Sequence, residues 1–192
     1  MKNLKEYFFL FKIHHWVKNL TIFLPLVAGH LIINNSIQEY ILHFLNFSIL
    51  ASIIYLLNNI NDYKEDQKNK KLRYTINTSK KNYYYFFCTI VLITQISLTF
   101  IFDPKVLSIF IIYFILSLTY NFILRNKKYI DIFTISLFHI LRIYYGSLAF
   151  NIELSPYFIS FCLSIFLMIG TNKRLIEINN NFKNRPYENY DK

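Results

Sequence analysis

Charged residues are missing from long stretches of this 192-residue chain. No Asp, Glu, Lys or Arg occurs within 19–38, 40–61, 82–102, 106–124 or 154–172, and 132–152 holds only Arg142. About 20 predominantly apolar residues cross the ~30 Å hydrocarbon core of a bilayer as an α-helix, and each stretch has that length. Segments such as Val106-Leu-Ser-Ile-Phe-Ile-Ile-Tyr-Phe-Ile-Leu are apolar on every helical face, which a helix of a water-soluble bundle would not be. The expected fold is therefore all-α: a polytopic transmembrane helix bundle of about six spans, forming one domain over 1–192 within a lipid bilayer.

The basic residues give this bundle a direction. The net charge is +10, from 21 Lys and Arg against 11 Asp and Glu. Nearly all of the basic residues fall in the N-terminal arm, the loop 62–81, the loop 125–131 and the tail 173–192. Those segments lie on one side of the six spans. The opposite side holds Lys105 alone, and Arg142 sits within a span. The positive-inside bias then predicts an integral protein of the inner, cytoplasmic membrane with both termini cytoplasmic. The same distribution argues against nucleic-acid binding, because the basic segments are separate short loops on a membrane face. Three glycines leave no phosphate-cradling glycine loop, and two cysteines, Cys88 and Cys162, both within spans, make no disulfide scaffold.

The segment Tyr55-Leu-Leu-Asn-Asn-Ile-Asn-Asp-Tyr-Lys-Glu-Asp-Gln-Lys-Asn-Lys-Lys-Leu-Arg73 concentrates the scarce acids at the expected cytoplasmic end of the second span. If that helix runs on past the membrane, Asn58, Asp62 and Asp66 fall at i, i+4 and i+8 on one face, with Asn59 beside them. A row of oxygen ligands on a rigid helix can hold Mg²⁺ and leave coordination positions open to a substrate phosphate. Lys70, Lys71 and Arg73 follow at once, where they can neutralise the same phosphates. The alternative is that the basic run only anchors topology.

Two other charged positions qualify as candidates. Arg142, in the middle of 132–152, costs at least ~2.5–3.5 kcal/mol to insert and should face the protein interior with a partner, as a functional group or as a structural Arg capped by backbone carbonyls. Lys173 and Arg174 close the last span, and Arg174 stands at i, i+3 from Glu177, so these two can pair with each other. His14 and His15 beside Trp16 and Lys18 suit an interfacial belt as well as a site.

In order along the chain, Asn58-Asn59-Ile-Asn-Asp62-Tyr-Lys-Glu-Asp66 resembles the N-D-x-x-D-x-x-x-D motif of the UbiA superfamily of intramembrane prenyltransferases. His15-Trp16-Val17-Lys18-Asn19, Tyr120 to Arg125, Asp131, Leu141-Arg142 with Gly146, Lys173-Arg174-x-x-Glu177 and Arg185-Pro186 are similar to further motifs of its phosphoribosyltransferase branch. The resemblance implies a UbiA-like bundle with a cytoplasm-facing cavity and Mg²⁺ as cofactor. It also implies transfer of 5-phosphoribosyl from phosphoribosyl diphosphate to a polyprenyl phosphate. By motif position, Asn58, Asn59, Asp62 and Asp66 are the implied metal residues, and Asp62, Asp66 and Arg142 the implied catalytic ones. Lys18, Lys70, Lys71, Arg73, Lys173 and Arg174 are the implied phosphate contacts. Asn59 stands where the motif has its first aspartate. The family bundle has nine spans, so the resemblance also implies a chain short of three helices, a second chain that supplies them, or a non-catalytic relative. Prenyl transfer to an aromatic or haem acceptor is the other reaction it allows.

Overall fold

The computed structural model describes residues 4–29, 36–68, 76, 81–127 and 129–179. Every regular element among them is helical: α1 (Leu4–Leu10), a 3₁₀ helix (Ile13–Phe23), α2 (Leu24–Ala28), α3 (Ile37–Lys68), α4 (Lys81–Phe102), a 3₁₀ turn (Pro104–Val106), α5 (Leu107–Phe122), a 3₁₀ turn (Leu124–Asn126), α6 (Ile130–Ala149) and α7 (Pro156–Asn179). Among the described residues, five helical segments are long and apolar enough to cross a bilayer: Ile37–Tyr63, Lys81–Phe102, Pro104–Phe122, Ile130–Ala149 and Pro156–Ile176. Large apolar side chains such as Ile101, Leu98, Phe86 and Tyr157 are exposed on them. Only an apolar solvent accommodates that surface, so the chain is an integral membrane protein.

The first uncharged stretch, 19–38, differs from the expectation of one continuous span. Its beginning belongs to the 3₁₀ helix and is followed by the five-residue α2, which Gly29 caps. Pro25 has no N–H to give to the carbonyl of Thr21, so an α-helical ladder cannot run through this point. Residues 30–35 lie outside the described residues.

The helices form two compact units, 1–20 with 33–110 and 21–32 with 111–192. In the first, α3 packs against α4 and α1. Leu10, Ile53, Leu56, Ile60, Ile76 and Cys88 are buried together, with Leu57, Tyr63 and Val91 against them. Polar side chains join the N-terminal third of α3 to the C-terminal part of α4. Asn46 donates to Thr99 Oγ1 at 3.0 Å, and Gln95 donates to Asn46 Oδ1 at 3.1 Å and to its backbone carbonyl. Ser36 begins α3 by accepting from Glu39 N–H, and Asp103 begins the 3₁₀ turn after α4 by accepting from Lys105 N–H. Each satisfies a backbone donor that a helix start leaves open.

In the second unit α6 is the central element, packed against α7 and α2. Ile140, Ile143 and Cys162 are buried there, with Leu24, Phe158, Leu163 and Phe166 around them. The turn into α7 is closed by Ser147, whose hydroxyl donates to the Ile152 carbonyl, and by Ser155, which accepts from Phe158 N–H just before Pro156. Gly146 permits the closest approach: a Cβ on it would stand 1.8 Å from the carbonyl oxygen of Ile22. That obstacle is backbone and cannot rotate away. Gly146→Ala is therefore expected to cost about 1–3 kcal/mol or more through overpacking, outweighing alanine's ~1 kcal/mol helix advantage. Gly170→Ala, where the nearest atom is the Ile132 side chain at 3.1 Å, should change stability by less than about 1 kcal/mol. Thermal unfolding of the two variants in detergent checks the ranking.

Candidate functional site

The condition set for the aspartate row is met by the backbone. α3 continues without a break through Lys68, so Asn58, Asp62 and Asp66 share one helical register at i, i+4 and i+8. Asn58 and Asp62 are half-buried at the surface of the first unit. The Asp66 side chain lies outside the described residues, as do Lys70, Lys71 and Arg73. Carboxylate and amide oxygens at this spacing are a donor set that suits Mg²⁺. Among the described residues no three His, Cys, Asp or Glu side chains come together at a metal-binding distance.

Asn59 has a different environment. It is 2% exposed, and its side-chain N–H donates to the carbonyl of Leu10 at 2.7 Å. The face of α3 that it occupies continues with Tyr55, Ser52 and Ser48, and the N-terminal segment runs antiparallel along that face. The Lys12 ammonium lies 5.3 Å from the Tyr55 ring centre, Trp16 Nε1 donates to Ser52 Oγ at 2.9 Å, and Asn19 donates to Ser48 Oγ at 3.0 Å. Three residues of 3₁₀ helix and four of α-helix both advance about 6 Å, which is why a Trp-x-x-Asn spacing meets a Ser-x-x-x-Ser spacing. Lys18 is exposed and lies between the levels of Ser52 and Ser48, roughly 15–21 Å along the α3 axis from the level of Asp62. The structure thus sets Lys18 well away from the aspartate row with which the motif groups it.

In the second unit, Arg174 is 4% exposed and Asp131 fully buried. Arg174 Nε donates to Asp131 Oδ2 at 2.6 Å and Nη2 to Oδ1 at 2.9 Å, a two-pronged pair tying the end of α7 to the start of α6. The Tyr120 hydroxyl, near the end of α5, donates to the same Oδ1 at 2.7 Å. The Arg174 guanidinium is thus engaged by a carboxylate 43 residues away; the Glu177 side chain lies outside the described residues. Its neighbour Lys173 is exposed. Arg142, also 4% exposed, donates to its own-helix carbonyl at Phe138 and, through Nη2 at 2.7 Å, to the Tyr113 hydroxyl. Backbone-carbonyl capping, one of the two readings of Arg142, is present, with a phenol added. Tyr113, Tyr120 and Ser52 were not singled out by the sequence as partners. The one available signal was that a buried cation needs an acceptor.

No protein-family model matches the chain. Over 177 residues, 90% of this chain and 34% of the relative, it is 25% identical to an uncharacterized protein, y4nM, of Sinorhizobium fredii. It is 28% identical to the nodulation protein NoeC of Azorhizobium caulinodans, covering 86% of this chain and 55% of that one. It is 25% identical to the decaprenyl-phosphate phosphoribosyltransferase of Mycobacterium tuberculosis, covering 85% of this chain and 57% of that one. The chain thus spans between about a third and somewhat over half of the length of the curated relatives it matches.

Removing one partner of a buried ion pair leaves an uncompensated charge, a loss of about 3–5 kcal/mol. Asp131→Leu and Arg174→Leu are each expected to destabilise by that order. The Asp131→Leu/Arg174→Leu double variant should lose clearly less than the sum. A double-mutant cycle on unfolding in detergent measures this.

Proposed function

We propose that this protein is a UbiA-type membrane transferase acting on a polyprenyl lipid, and that it transfers 5-phosphoribosyl from phosphoribosyl diphosphate to a polyprenyl phosphate with Mg²⁺. The observation that carries this reading is the Asn58, Asp62 and Asp66 row on one unbroken helix at the end of a membrane-spanning segment. The matched motifs and the likeness to a decaprenyl-phosphate phosphoribosyltransferase support it.

In this reading Asp62 and Asp66, with Asn58, hold the metal, which supplies charge neutralisation for a departing diphosphate. The bond from ribose C1 to the diphosphate oxygen breaks and a bond from C1 to a lipid phosphate oxygen forms. Diphosphate leaves with the bonding electron pair. Lys70, Lys71 and Arg73 neutralise the phosphates. Within the second unit, Arg174 holds the α7 end in place through Asp131 and the adjacent Lys173 is exposed. Arg142 supplies a fixed positive charge within its span. Both termini face the cytoplasm of the inner membrane, and the lipid acceptor arrives from the bilayer.

Membranes containing the protein are expected to move label from phosphoribosyl diphosphate to a polyprenyl phosphate in a Mg²⁺-dependent manner. Asp66→Ala and Asp62→Ala should each lower the rate at least ~10²-fold, the scale on which losing a positioned transition-state charge acts. Normal rates in both variants would overturn the metal role. Product from a prenyl diphosphate and an aromatic acceptor instead would favour the alternative reaction. Activity that appears only when further helices are supplied on a second chain would favour a split bundle.

A further inference from the structure

Asn59 occupies the position at which the resembling motif carries a metal-binding aspartate, yet its side chain is buried and used. α1 ends at Leu10, and the chain then turns through Lys12 with φ of 49°. A helix end leaves its last carbonyls without partners, and Asn59 donates to one of them, that of Leu10. Leu10 is itself 3% exposed and packs with Ile53, Leu56 and Ile60 of α3, so the hydrogen bond lies inside an apolar contact. Farther along the same face of α3, Lys12 and His15 meet Tyr55, Trp16 meets Ser52 and Asn19 meets Ser48.

We infer that Asn59 is a positioning residue: its amide latches the end of α1 onto the helix that bears Asp62, and it takes no part in holding a metal. An amide is required because the acceptor is a carbonyl. An ionised aspartate has no proton to donate, so at this site it would set two acceptors against each other in a buried contact. The asparagine is then the residue that the contact calls for, and α1 becomes the first link of an N-terminal segment fastened along α3. The latch stands on the contacts alone. Only its bearing on metal binding rests on the transferase reading.

The test uses the full chain in lipid nanodiscs without substrate. A spin label on Tyr7→Cys reports on α1, since Tyr7 is exposed while Cys88 and Cys162 are buried. Asn59→Asp and Asn59→Ala should both raise label mobility, whereas Asn59→Gln, which keeps the N–H donor, should restore part of the immobilisation. Magnesium titration by calorimetry should give Asn59→Asp the same affinity as the parent. Unchanged mobility in Asn59→Asp together with tighter Mg²⁺ binding would overturn the inference and return position 59 to the metal. Should the position 59 variants fail to fold, a Lys12→Cys/Tyr55→Cys pair in the otherwise unaltered chain must cross-link with a short bis-maleimide; no cross-link would overturn it. A protein with no transferase activity leaves the label and cross-link results standing, so the two readings fail separately.

Discussion

A polar group inside a bilayer has no water to turn to, so its partner has to come from the protein. The seams of each unit are organised around that demand. In the first unit α3 meets α4 through Asn46, Gln95 and Thr99, and meets the N-terminal segment through Asn59, Ser52 and Ser48. In the second, α6 is joined to α7 by Asp131 and Arg174, and Tyr120 and Tyr113 bring α5 into contact with Asp131 and Arg142. Lipid competes with apolar contacts almost on equal terms, so directional bonds do much of the work of choosing which helices pair.

The Asp131–Arg174 pair also governs what the end of α7 can present. Two adjacent basic residues there have opposite fates: Arg174 is drawn in to a carboxylate, and Lys173 stays out. A planar guanidinium satisfies both oxygens of a buried carboxylate at once, which an ammonium cannot do as well. The two adjacent cations thus differ in burial: Arg174 holds the helices together and Lys173 is exposed. A similar division runs through the N-terminal motif, where Trp16 and Asn19 face α3 and Lys18 faces outward.

Much of the architecture was readable from residue order. The length of an uncharged stretch is a local property, and it marked the helices carried by α3 to α7. Within 19–38 it did not show the change from 3₁₀ helix to the short α2 at Leu24, next to Pro25. The register of Asn58, Asp62 and Asp66 was also legible, since it needs only a helix that continues. The direction taken by Asn59 was not. It directly follows Asn58, but a rotation of about 100° per residue turns it to another face, and what lay on that face depended on where α1 came to rest.

By itself, then, the sequence determined that this is a membrane protein of apolar helices, with three of its 11 acidic residues gathered at the end of one of them. Those properties follow from solvent transfer and helical period, which act within a single segment. The tertiary structure alone decided the partners: Arg174 with Asp131, Arg142 with Tyr113, and Asn59 with the carbonyl of Leu10. Such choices join residues 29 to 49 positions apart. They are set by which helix faces pack together, and that packing is a property of the whole fold.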